Sequence, residues 1–235
     1  MASGADQFLS SFNRIEKRLR DELDNPRNMG FSEMVRRLSK SKNINVRRAE
    51  DDLLQMAQLR NAIVHEKIGE SFVIAEPNEW VVNRIQEIER SLLAPEKVMP
   101  RFAKRVTGFE KHLPLPELLK IVAQKRYSQF PIYDNGRFLG LITLRMLGYW
   151  LAKESLHGEI KLAGRTADEL LVGDGKRSNF CFVSAETTIV EVEELFQKNA
   201  LLEAVLITKD KNPNGNLLGI IRPRDIFKEE RVENL

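Results

Sequence analysis

The sequence predicts a multidomain chain: an all-α helical bundle over residues 1–94, then an α/β part in two halves, 95–155 and 156–235. Three observations carry this. Apolar residues in the first part recur every three or four positions, the period of one helix face. Pro95 and Pro100 bracket a change of character, after which short apolar runs alternate with helical runs. The second part also repeats itself, because setting Gly140 against Gly219 aligns GLITLRML with GIIRPRDI. An internal repeat marks units that bury their open faces against one another.

The elements follow in order. FLSSFNRIEKRLRDEL puts Phe8, Leu9, Phe12, Ile15, Leu19 and Leu23 on one helix face. Asn25-Pro26 stops it, since the residue before a proline is pushed out of the helical region. FSEMVRRLSKS is a second helix with Ser32 as its expected cap. Val46 to Lys67 reads as one long third helix, and SFVIA (Ser71–Ala75) as extended chain. A fourth helix runs from about Asn78 through Trp80, Val81, Ile85 and Ile88 to Leu92, with Asn78 and Glu79 as starters.

In the second part QFPIYD is strand-like, Asn135-Gly136 is a hairpin turn, FLGLITL is a second strand and RMLGYWLAK a helix. AVLITKD, KNPNG and NLLGIIRPRDIFKEE repeat the pattern. An amphipathic helix precedes each hairpin: LPELLKIVAQK before the first, TIVEVEELFQKN before the second. The repeat is therefore helix, strand, turn, strand, helix.

Composition narrows the function classes. The chain is 42% hydrophobic and 30% charged, the balance of a globular protein. Its one cysteine, Cys181, excludes a disulfide framework and suits a reducing, cytoplasmic setting. The N-terminus MASGADQFLSSFNRIEKRL has no basic region followed by an apolar core, and no run of about 18 apolar residues offers a membrane span. The net charge is only +3, but seven basic residues face one acid between Arg27 and Arg48, and eight face two between Lys97 and Arg126. Such runs bind polyphosphate or nucleic acid, or else are solvated faces. His65, His112 and His157 are scattered and form no HExxH, so no metal is expected. Phosphate-loop and GxSxG patterns are absent as well.

The repeated unit, PIYDNGRFLGLITLRML and VLITKDKNPNGNLLGIIRPRDI with the lead-ins VMPRF and TADELLVGD, resembles the CBS domain, named after cystathionine β-synthase. The resemblance covers about Glu96 to Glu230 and implies a tandem pair with clefts between its halves. Many such pairs sense adenosine nucleotides, so AMP, ADP or ATP is the implied regulatory ligand, with no cofactor required. The family motif is Gly, two apolar residues, Thr or Ser, two residues, then Asp. The hydroxyl meets phosphate and the carboxylate accepts from ribose hydroxyls. Here it is split: the first copy keeps Thr143 but has Met146 at the Asp position, and the second keeps Asp225 but has Arg222 at the Thr position. Arg222 substitutes charge for the hydroxyl, and the neighbouring Arg224 reaches for phosphate or forms a surface ion pair. Phe180–Val183 is the stretch that would flank a purine, with Phe182 and Val183 as candidates; the alternative is ordinary buried strand. The alternative for the pair as a whole is a dimerisation scaffold with a degenerate cleft.

In the helical part, LRNAIVHE (Leu59–Glu66) resembles the signature of HEPN domains, helical bundles that typically dimerise. Active members are metal-independent endoribonucleases. Carried over, His65 handles the 2′-proton or the leaving oxygen, Arg60 stabilises phosphorane charge and Asn61 orients His65 or holds phosphate. RNA is then a partner, since its 2′-hydroxyl is the nucleophile. Asn61 and His65 are one turn apart, but Arg60 and His65 lie about 140° apart on a helix. A homodimer pairing two copies across a two-fold axis would join them in one cleft. The alternative is a non-enzymatic bundle that dimerises or docks a partner.

Overall fold

The computed structural model describes residues 3–41, 43–65, 75–171 and 179–227, apart from the side chain of His65. The chain divides into two compact units, Met1–Glu96 and Lys97–Leu235.

The first unit is helical. α1 (Gly4–Glu22) starts at a capping box between Ser3 and Asp6. It buries Phe8, Phe12, Ile15 and Leu19, the face the spacing predicts. It ends where Asp24 and Asn25 turn to positive φ (56° and 54°), just before Pro26. α2 (Phe31–Ser39) begins two residues earlier than a Ser32 cap implies, with Gly30 at its N-cap. The reason is Phe31, whose ring lies 4.3 Å from that of Phe12, so packing sets the first turn.

The long third helix of the sequence reading is two. α3 (Ile44–Arg48) closes at Ala49, and α4 (Glu50–His65) starts immediately afterwards. Ala49 donates to the carbonyls of both Asn45 and Val46 and is buried, which turns the chain. Charge marks the break: Arg47 and Arg48 end α3, while Glu50, Asp51 and Asp52 open α4, each complementing its helix dipole. Residues 66 and 67 of that expected helix, and 71–74 of SFVIA, lie outside the described residues.

α5 (Glu79–Leu93) is capped by Asn78, which accepts from the Val81 amide. Its Val82, Ile85, Ile88 and Leu92 join the core with α1, and Arg14 on α1 binds Glu89 on α5 through two nitrogens (2.5 and 2.9 Å). Each fully buried Phe, Leu or Ile here contributes about 1.5–3 kcal/mol.

The second unit holds two copies of one motif. In the first, β1 (Phe109–Glu110) runs parallel to β2 (Gln129–Asp134), which pairs antiparallel with β3 (Arg137–Thr143). α6 (Leu115–Lys125) links β1 to β2, and α7 (Leu144–Ser155) follows β3. Asn135 and Gly136 make the hairpin turn with positive φ (51° and 83°). In the second copy β4 (Phe180–Ser184), α8 (Ile189–Lys198), β5 (Ala204–Thr208), β6 (Gly219–Ile221) and α9 (Pro223–Ile226) repeat the order and register. The parallel strands β1 and β4, set ahead of the helices, complete the repeat read from the sequence.

Each copy has its own core, and a third cluster joins them. There Phe138 of the first copy meets Phe180 and Phe182 of the second edge-on, with centroids 5.1 and 5.0 Å apart. Such aromatic pairs add about 0.5–1.5 kcal/mol each beyond burial.

Candidate functional site

Register places equivalent residues of the two copies. Gly140 opposes Ile132, which pairs with Phe109; Gly219 opposes Ile207, which pairs with Val183. Position 105 therefore corresponds to 179, 128 to 203, 143 to 222 and 146 to 225. Each copy's start faces the other copy's end. Lys104 donates its amide to the Leu218 carbonyl, and the Asn179 side chain reaches the Leu141 carbonyl. Two clefts result, each built from both copies.

The cleft at Asp225 is open. Its two adjoining hollows, about 230 and 380 Å³, share Lys104 and Ile220. The first copy supplies Lys104, Arg105, Val106 and Thr107 from its start and Arg126 to Gln129 from the turn after α6. The second supplies Ile220, Arg222, Arg224 and Asp225. Arg101 adds to the rim, so six basic residues line these hollows against one acid.

Asp225 is held by Arg222. The guanidinium donates through Nε (2.8 Å) and Nη2 (2.7 Å), and the Arg222 amide donates as well (2.9 Å). Burial works to raise the Asp225 carboxyl, but these bonds outweigh it and hold it below the usual carboxylate value. Lys104 moves the opposite way from an ordinary paired lysine: desolvation first, then the charges of Arg222 and Arg224, lower its pKa despite Asp225. The cleft therefore concentrates positive charge faster than its one acid neutralises it.

Arg126 ends α6 in the left-handed conformation (φ 53°, ψ 34°), a cap that glycine normally takes. A side chain there costs about 1–2 kcal/mol. In return, its guanidinium-bearing chain lines the cleft.

At the equivalent place in the other half, around Thr143, the described residues bond to one another. Thr143 is 2% exposed, and its hydroxyl accepts from the Met146 amide at 3.4 Å as the cap of α7. Asn179 Nδ2 contacts the Leu141 carbonyl (3.3 Å), Met146 Sδ (3.5 Å) and Glu203 Oε1 (3.3 Å). Arg145 closes on Glu203 at 3.1 and 2.7 Å. Where the open cleft has Arg105, Ser128 and Asp225, this one has Asn179, Glu203 and Met146.

The predicted site residues separate accordingly. Asp225, Arg222 and Arg224 come together in the open cleft, and Thr143 stands apart from them as the cap of α7. Phe182 and Val183 are buried strand residues, one in the cluster that joins the copies and one in the second core, and neither lines the Asp225 hollows. The sequence reading missed Lys104, Arg105, Arg126, Tyr127 and Gln129. For the three basic residues the signal was the run from Lys97 to Arg126, for which polyphosphate or nucleic-acid binding stood beside a solvated face. In the helical unit Arg60 and Asn61 stand on the last third of α4, and Arg60 Nη1 donates to Asn61 Oδ1 at 3.3 Å. His65 is the last residue of α4, with its side chain outside the described residues.

Among the described residues no group of three or more His, Cys, Asp or Glu is placed to hold a metal ion. None of their helices is long and apolar enough to cross a membrane.

The fold and the cleft define a paired helix-and-hairpin module with an open basic cleft at Asp225. The CBS domain family model matches residues 103–151 and 176–231, one segment in each copy, so the second unit is a tandem CBS pair. No curated protein matches the chain. Among solved structures, a putative acetoin utilization protein (AcuB) from Vibrio cholerae is 18% identical, with a TM-score of 0.42, over 55% of this chain and 85% of its own. A CBS domain-containing protein of unknown function from Kribbella flavida is 14% identical, with a TM-score of 0.41, over 54% of this chain and 92% of its own. The CBS domain pair of protein MJ0100, solved with 5′-methylthioadenosine and S-adenosyl-L-methionine, is 19% identical, with a TM-score of 0.43, over 56% of this chain and 93% of its own.

Proposed function

We propose that this protein is a nucleotide sensor: its CBS pair binds an adenosine nucleotide in the Asp225 cleft and regulates the helical unit. The observation that carries this is the composite cleft, where six basic residues line two adjoining hollows, one holding Asp225, the other the apolar Val106 and Tyr127, with Ile220 shared. The basic groups suit phosphates, the carboxylate suits ribose hydroxyls and the apolar side chains suit a base. Binding that favours one arrangement of the chain transmits as a population shift. Calorimetric titration with AMP, ADP, ATP and S-adenosylmethionine tests it. Micromolar binding of at least one nucleotide, lost in Asp225→Ala, supports the reading. No binding by any of the four sinks it.

For the output, the reading is a HEPN-like homodimer that cleaves RNA, with His65, Arg60 and Asn61 as the acting residues. The hydrogen bond from Arg60 to Asn61 favours it, because it draws the arginine toward the helix face that positions 61 and 65 share. The non-enzymatic alternative, a bundle that only dimerises or docks a partner, is separated by incubating RNA with the protein in EDTA. Cleavage by wild type that disappears in His65→Ala supports the nuclease; equal background from both leaves the scaffold. Sedimentation of the same samples reads the dimer directly.

A further inference from the structure

The second copy departs from the CBS nucleotide motif by placing Arg222 where a hydroxyl is expected, and the structure gives that departure a geometry. In the first copy Thr143 caps α7 by accepting from a backbone amide. Arginine has no acceptor, so at the equivalent place the roles reverse: the Asp225 carboxylate accepts from the Arg222 amide and from two of its guanidinium nitrogens. The group that would hold ribose is thus engaged by the group that stands where phosphate is met. Arg222 itself is held more firmly in its charged form by this pair.

We propose that Arg222 is a phosphate-dependent latch on Asp225, so that the cleft admits nucleoside phosphates and rejects nucleosides and sulfonium nucleosides. This rests on the nucleotide reading above and adds to it a rule of selection. A ligand without phosphate offers Asp225 two neutral hydroxyl donors in place of a bidentate guanidinium, a poor exchange, because the carboxylate gives up a cation and its matched fork and leaves the Arg222 charge without its counterion. A ligand with phosphate offers Arg222 an anion of its own, so the guanidinium swings from one anion to another and the carboxylate is released to the ribose. Further phosphates meet Lys104, Arg105, Arg126 and Arg224, whose mutual repulsion they relieve. S-adenosylmethionine brings a cationic sulfonium into a cleft already crowded with cations, and is disfavoured twice.

The test is a ligand series on the full chain: adenosine, AMP, ADP, ATP, S-adenosylmethionine and inorganic tripolyphosphate, against wild type and Arg222→Thr. In wild type, affinity is expected to rise about tenfold or more from AMP to ATP. Adenosine and S-adenosylmethionine are expected to be silent, and tripolyphosphate alone to bind at least tenfold more weakly than ATP. In Arg222→Thr, adenosine binding appears and the gain per phosphate shrinks. Adenosine binding to wild type within threefold of AMP overturns the latch while the sensor reading stands. Tripolyphosphate matching ATP also overturns it, since ribose then contributes nothing. Silence from every nucleotide removes the sensor reading and the latch with it. Should Arg222→Thr fail to fold, the wild-type series alone decides between these outcomes.

Discussion

The backbone carbonyl of Phe102 fills the space in which a side chain on Gly219 would begin. This close approach holds the lead-in of the first copy against β6 of the second, next to the hydrogen bond from the Lys104 amide to the Leu218 carbonyl. Glycine is required there because any Cβ forces the two backbones apart. Gly219→Ala is expected to cost about 1–3 kcal/mol, the usual penalty for overpacking. It should also weaken nucleotide binding, because Lys104 moves with the displaced lead-in. Thermal unfolding and calorimetry on the same sample check both effects; an unchanged Tm contradicts the packing argument.

Arg126 presents the opposite case, a strained residue beside the cleft. Replacing it with glycine relieves the left-handed backbone, and stability should rise by up to about 1 kcal/mol, less what glycine adds to the entropy of the unfolded chain. The same change removes a cation from the cleft, so ATP should bind several-fold more weakly. A variant that is more stable and a poorer binder identifies Arg126 as a functional compromise. One that binds ATP unchanged shows that its charge does not reach the ligand.

The two clefts should differ in occupancy. Asn179, Glu203, Arg145 and Met146 engage one another near Thr143 through hydrogen bonds and one ion pair, which a ligand there would have to break. One nucleotide per chain is therefore expected by calorimetry. Thr143→Val should leave the measured affinity unchanged, whereas Asp225→Ala abolishes it. Two sites per chain would show that the Asn179 network opens.

Cys181 carries a pH signature. Desolvation on β4 pushes its thiol up to about 11 from an ordinary value of 9.0, with Lys211 opposing the shift. At pH 8 the native thiolate fraction is then about 100-fold below that of the unfolded chain, so alkylation by iodoacetamide should slow by a similar factor. The sign for stability follows. A group whose folded pKa is raised stabilises the fold below its unfolded pKa and loses that contribution as pH rises, here between about 9 and 11. Urea midpoints should fall over that window in wild type and fall less in Cys181→Ala.

Much of the fold was legible in the chain because it depends on local periods. The spacing of Phe8, Phe12, Ile15 and Leu19 predicts the buried face of α1, and Asn78 predicts the cap of α5. Asn135-Gly136 predicts the turn between β2 and β3. The break at Ala49 was encoded too, in Arg47-Arg48 followed by Glu50-Asp51-Asp52, but apolar spacing runs across it and hides it. Ser32 misled because capping preference is worth only about 1 kcal/mol, and the packing of the Phe31 ring against Phe12 competes with it.

By itself, the sequence determined that the chain has a helical part and a doubled helix-and-hairpin part, and that its motif is divided between Thr143 and Asp225. Local propensity and a repeat suffice for that. Only the tertiary structure decided which residues meet. It set Lys104 beside Asp225 and Arg126 in the adjoining hollow with Arg222, each about a hundred residues away in the chain, and it buried Phe182 and Val183 in cores. It tied Asn179 to Met146 and Glu203 in one half, left the Asp225 cleft open in the other, and clamped Arg222 onto its carboxylate. The physical reason is that the start of each copy is completed by the end of the other, a pairing made by long-range packing, which no local period records.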